Sequence, residues 1–148
     1  MRVREASITD LDSIAAIESA IFDPEPYPRF FLRQAHDLWG AWLLVAEDDS
    51  GGVAGYALAA PRLGGEEACI LALAVVDGMR GRGVGARLLE ALLERLAAHR
   101  VATAWLTVHP GNAPAIRLYE RLGFVVAAEE AAYFGAGAPR LRMERKLL

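Results

Sequence analysis

Apolar residues repeat along this chain with two periods, and the switches between them divide it into elements. Leu11, Ile14, Ile17 and Ile21 fall at helical spacing behind Thr9 and Asp10, either of which can cap a helix. Val84, Leu88, Leu89, Leu92, Leu93 and Leu96 repeat the pattern over about four turns. Phe30 to Leu38 fits a short second helix. Ala113 to Leu122 fits a last one, with Asn112 as its cap and Gly123 as its left-handed C-terminal residue. Between these lie strand-like runs: Val3 to Ala6, Trp42 to Glu47, Val53 to Ala60, Cys69 to Val76, Ala102 to Val108, Phe124 to Ala128 and Leu141 to Lys146. Asp48-Asp49-Ser50-Gly51-Gly52 reads as a hairpin loop, and Asp23-Pro24-Glu25-Pro26-Tyr27-Pro28 as a helix breaker. No linker, repeat or low-complexity tract interrupts the series. The order predicts one α/β domain over residues 1–148 with a mixed sheet.

Composition narrows the function. The chain has 148 residues, 54% hydrophobic and 24% charged, which suits a folded domain with its own core. A net charge of −3 argues against nucleic-acid binding. A single cysteine, Cys69, excludes an intrachain disulfide and a cysteine-based zinc site. The first residues lack a signal-peptide core, and no run is long enough to span a membrane. The expectation is a soluble cytoplasmic protein with no membrane partner and no metal.

Arg80-Gly81-Arg82-Gly83-Val84-Gly85 carries the most chemistry. It joins an apolar strand to an amphipathic helix. Backbone N–H groups of such a turn and of the helix start point at one spot, a geometry that binds phosphate. A nucleotide-triphosphate loop requires Lys and Ser or Thr after the last glycine, and they are missing. A dinucleotide fingerprint requires Gly-x-Gly-x-x-Gly after an early first strand; here the spacing is Gly-x-Gly-x-Gly, late in the order. The coenzyme A pyrophosphate pattern, Gln or Arg-x-x-Gly-x-Gly or Ala, is matched by Arg80, Gly83 and Gly85.

A second segment accompanies it, Leu106-Thr107-Val108-His109-Pro110-Gly111-Asn112 through Ala115, Leu118, Tyr119, Gly123 and Phe124. With Leu73-Ala74-Val75 before the loop, and Tyr133 and Arg142-Met143 near the end, the chain resembles the GNAT superfamily of acetyl-CoA-dependent N-acetyltransferases. Within it, the chain looks most like the bacterial ribosomal-protein alanine N-acetyltransferases. The resemblance implies a mixed, mostly antiparallel sheet of six or seven strands with a central parallel splay and about four helices. It implies that backbone groups of Leu73, Ala74 and Val75 pair with the pantetheine arm of acetyl-CoA. Arg80, Gly81, Arg82, Gly83, Val84, Gly85 and Ala86 would hold the pyrophosphate, and Asn112 would touch the cofactor further along. Tyr119 matches the residue that protonates the departing coenzyme A thiolate. A backbone N–H near Val75 would face the charge that gathers on the carbonyl oxygen when a neutral amine attacks.

The general base departs from the pattern. The resembling subgroup carries Glu where Thr107 stands, and other members carry Glu near Leu71 or Ala72; none of these is acidic here. His109 lies two residues past Thr107, on the same face if the strand continues, and imidazole can take a proton near neutral pH. A solvent-facing loop histidine is the plainer reading. Glu66 or Glu67 acting through water, or no dedicated base, are the other choices. Without a base, an α-amine is favoured over a lysine amine, because far more of it is neutral at physiological pH. Tyr27, Phe31 and Tyr133 fall where relatives line the acceptor groove, or else they cap the core. The expected partner is therefore an amine substrate, a protein N-terminus or a small molecule, with the protein a monomer or homodimer. A small-molecule acetyltransferase and a non-catalytic acyl-CoA-binding module remain open as alternatives.

Overall fold

A computed structural model describes residues 1–22 and 25–148. The breaker positions Asp23 and Pro24 lie outside the described residues. The strands are β1 (Arg2–Glu5), β2 (Leu43–Glu47), β3 (Val53–Pro61), β4 (Glu67–Val75), β5 (Thr103–Val108), β6 (Val125–Glu130) and β7 (Arg140–Lys146). The helices are α1 (Leu11–Phe22), α2 (Arg29–Trp39), α3 (Val84–Ala98) and α4 (Ala113–Arg121). Each falls within a few residues of its apolar pattern. The sheet has seven strands in the order β1-β2-β3-β4-β5-β7-β6. The pair β4–β5 is parallel; the β1–β2, β2–β3, β5–β7 and β6–β7 ladders are antiparallel.

The chain forms two compact units, Met1–Ala60 with Leu71–Leu92 and Pro61–Ile70 with Leu93–Leu148. The first has a core of Leu11, Ile14, Leu32, Leu43, Val45, Tyr56 and Leu58, the inward faces of α1, α2, β2 and β3. Its N-terminal corner is tied by charge. Arg4 grips both oxygens of Asp10, at 2.7 and 3.1 Å, and Asp10 Oδ2 also accepts the Ser7 N–H at 2.7 Å. Thus Ser7 caps a short 3₁₀ turn ahead of α1, two or three residues before the predicted caps Thr9 and Asp10. In the second unit, Ala104, Leu106 and Val108 of β5 are buried with Met143 of β7 and Phe124. Gly123, at φ +89°, ends α4 as its pattern requires.

β3 and β4 are not in regular register. Arg62 N–H donates to Glu67 O, and Val76 N–H donates to Ala54 O. Glu67 to Val76 is nine residues along the chain, whereas Ala54 to Arg62 is eight, so the β4 side carries one extra residue, a bulge. Gly55 marks a close approach: a β-carbon there would sit 2.7 Å from the Ala74 carbonyl oxygen and 3.3 Å from Val75 Cα.

Candidate active site

The first unit carries the end of β4, the glycine turn and the start of α3. Gly81 and Gly83 both adopt φ +76°, a region that suits glycine, and a β-carbon on either would meet nothing within 4 Å. The first α3 bond accepted by the turn runs from Arg87 N–H to Gly83 O, at 3.0 Å. By helix geometry the N–H groups of Val84, Gly85 and Ala86 lack intrahelical acceptors. A bent glycine turn with open space above it and a helix N-terminus behind it fits a pyrophosphate group. Arg80 is an exposed cation there, paired with Asp77 at 3.2 Å. Coenzyme A would supply an activated acetyl thioester to this turn, with Leu73, Ala74 and Val75 available to pair along its arm.

The acceptor candidates Tyr27 and Phe31 also belong to this unit. Their rings stack at 4.7 Å. Tyr27 is held at two points: its hydroxyl donates to Leu71 O at 3.2 Å, and its N–H donates to Glu18 Oε2 at 2.7 Å. Glu18 is only 2% exposed, and Tyr56 O–H donates to its other oxygen. Burial and this carboxyl push the Tyr56 phenol well above its ordinary range. Glu18 therefore fastens the α1–α2 connection to the core. Sequence reasoning missed it, although a lone Glu beside Ile17 on the buried face of α1 is a signal.

The second unit holds the other predicted residues. Asn112 caps α4, its Oδ1 accepting from Ala115 N–H at 3.3 Å. Tyr119 lies on the last turn of α4, its ring 6.0 Å from that of Phe124. Burial pushes its phenol up to about 12, so it remains protonated and can donate. Strand β5 stops at Val108, and His109 sits exposed in the turn beyond, rather than on an extended face with Thr107. Its Nδ1 accepts the Gly111 N–H at 2.9 Å. The neutral ring then carries its proton on Nε2, and its lone pair is engaged. Glu66 is exposed, and the Glu67 carboxylate is paired with Arg62 at 3.0 Å.

Three residue pairs from two ladders set one face of this unit. Cys69 pairs with Trp105, Trp105 with Glu144, and Thr107 with Arg142. Directly opposite residues share a face. Burial pushes the Cys69 thiol up to about 12, against an opposing pull from Arg142, so it is a poor nucleophile. Tyr133 is partly buried, its phenol raised by burial and by Cys69 and lowered by Arg142. Its ring meets Phe134 edge-on at 4.7 Å, and Arg140 lies over Phe134 at 5.0 Å.

The first unit has a glycine turn fitted to pyrophosphate; the second has a half-buried phenol at a helix end and a parallel strand pair; each is a feature expected of an acyl-CoA-dependent transferase. Comparison with known proteins agrees. The pattern of the Acetyltransferase (GNAT) family matches residues 8–124. An N-alpha-acetyltransferase of Sulfurisphaera tokodaii is 30% identical, over 92% of this chain and 87% of that one. An L-methionine sulfoximine/L-methionine sulfone acetyltransferase of Pseudomonas paraeruginosa is 33% identical, over 86% and 81%. Among solved structures, Ard1 from Thermoplasma volcanium superposes with a TM-score of 0.90 at 28% identity, covering 99% of this chain and 97% of that chain. The ribosomal-protein-S18-alanine N-acetyltransferase from Escherichia coli does so with a TM-score of 0.83 at 27% identity, covering 99% and 93%. The chain belongs to the GNAT acetyltransferase family, and it is an acetyl-CoA-dependent N-acetyltransferase.

Proposed function

We propose that the chain transfers acetyl directly to the N-terminal α-amine of a peptide or protein. One observation carries this reading: among the base candidates weighed from the sequence, Thr107 has no basicity, the His109 lone pair is engaged and Glu67 is paired, which leaves only Glu66, exposed ahead of the first residue of β4. An acceptor that is already partly neutral needs no strong base. An α-amine, with pKa of about 7.7–8.0, meets that condition, and a lysine amine, at about 10.4, is disfavoured by about 3 kcal/mol. The Sulfurisphaera relative, named as an N-alpha-acetyltransferase, supports the same acceptor. In this reading Arg80, residues 81–86, Leu73 to Val75 and Asn112 hold the cofactor, and Tyr119 protonates the thiolate. Tyr27, Phe31 and Tyr133 line the acceptor.

The reading predicts that an N-terminal peptide is acetylated faster than the same peptide with a blocked N-terminus and an internal lysine. Its kcat/KM should rise with pH up to about 7.7–8.0, as the amine loses its proton. Faster reaction of the lysine peptide would contradict it and turn the search for a base to the exposed carboxyl of Glu66. A small amine is a second reading, favoured by the Pseudomonas relative that is named for an amino-acid analogue. Comparing a free amino acid with a peptide that begins with the same residue separates the two.

A further inference from the structure

We propose that Arg142 selects acceptors that carry a carboxylate close to the amine, an inference that rests on the amine-acetylating reading above. Arg142 faces Thr107 across the β5–β7 ladder, on the face shared by Cys69, Trp105 and Glu144. Thr107 is the position where the resembling subgroup keeps its base, so the reacting amine belongs beside it. The guanidinium carbon lies 4.0 Å from the centre of the Trp105 ring, which fixes the plane of the fork. Arg142 Nε donates to Glu144 Oε1 at 3.0 Å. No other protein acceptor for Arg142 is found among the described residues, so its two Nη groups remain available. The side chain is 29% exposed: shielded enough for its charge to count, and open enough to be reached.

A planar fork with two uncommitted nitrogens matches a carboxylate, and Glu144 already shows a carboxylate docking on its third. Tyr133 feels both Cys69 and Arg142, which brings a predicted acceptor residue to the same patch. An ammonium ion gains nothing beside a guanidinium, so the free Nη edge of Arg142, turned from Glu144 by its Nε bond, rewards an anion next to a neutral amine. Two sources present that chemistry: an acidic first residue of a peptide, or the α-carboxylate of a free amino acid.

The test compares kcat/KM for matched acceptors with the full chain and acetyl-CoA. One arm pairs peptides starting with Asp or Asn, and with Glu or Gln. The other pairs a free amino acid with its carboxamide. Wild type should favour the acid by about tenfold in one arm, which names the source. Arg142→Gln should bring that ratio to near one, and Arg142→Lys should keep part of it. Glu144→Gln should raise the ratio by releasing the fork. Melting curves report whether each variant is folded, and the wild-type and Glu144→Gln ratios decide the matter if Arg142→Gln is not. Turnover of neutral peptides with an acid-to-amide ratio near one, or a ratio unmoved by Arg142→Gln, overturns the proposal and leaves the wider reading intact. Absence of turnover with every amine overturns both.

Discussion

Tyr119 and Asp10 have been pushed in opposite directions by their surroundings, and each has a consequence that can be measured. Burial alone raises the Tyr119 phenol to about 12, so it is a hydrogen donor at any physiological pH. Tyr119→Phe keeps the ring and its contact with Phe124. It should lower kcat by about tenfold or more while the dissociation constant for coenzyme A, read by calorimetry, stays nearly constant. A parallel loss of affinity would assign Tyr119 to packing. Asp10 is held down to about 2 from an ordinary 3.8, first by the Arg4 hydrogen bonds and then by the Ser7 N–H. A depressed carboxyl stabilises the fold above its unfolded value and loses that contribution as pH falls through its folded one. Unfolding measurements on wild type should therefore lose about 2 kcal/mol between about pH 4 and pH 2 that Asp10→Asn has already lost. Identical acid limbs for the two proteins would rule this out. At this scale the sequence was legible where a motif fixes a backbone conformation, as at Gly81 and Gly83. It was not legible where side chains from distant segments meet. The Arg142–Trp105 stack joins β7 to β5, and Glu18 reaches Tyr56 across 38 positions.

Elements were easier to read than contacts, because the periodicity that buries a helix or strand lies within a few consecutive residues. β4 alternates half-buried and buried side chains along its whole length, and α3 buries the row from Val84 through Leu96 that its spacing marks. Sheet order was less accessible: β7 enters between β5 and β6, a choice made by pairing between strands rather than by any one of them. The extra residue on the β4 side was equally hidden, since only the partner strand reveals it. Gly55 tests its importance. A methyl group there meets the Ala74 carbonyl oxygen at 2.7 Å, so the backbone has to shift. Gly55→Ala should cost about 1–3 kcal/mol in stability and raise the KM for acetyl-CoA, because Ala74 and Val75 are displaced together. Gly40→Ala is the control: Gly40 has φ −54° and open space around it. A Gly55→Ala protein that matches the control in melting temperature and KM would remove the bulge from the account.

At the scale of the molecule, no cluster of metal-ligating side chains occurs among the described residues, and no helix among them is long and apolar enough to cross a membrane. The family was legible because its two motifs carry backbone chemistry, a turn that needs glycine and a helix start that needs a cap, and such requirements survive in sequence. The acceptor was not, because its selection rests on side chains gathered from separate strands. The central claim is that the turn from Arg80 to Ala86 holds the pyrophosphate of acetyl-CoA. A crystal structure with coenzyme A bound measures this directly. The account predicts pyrophosphate oxygens about 2.7–3.2 Å from backbone nitrogens of residues 81–86. Pyrophosphate bound elsewhere would contradict it.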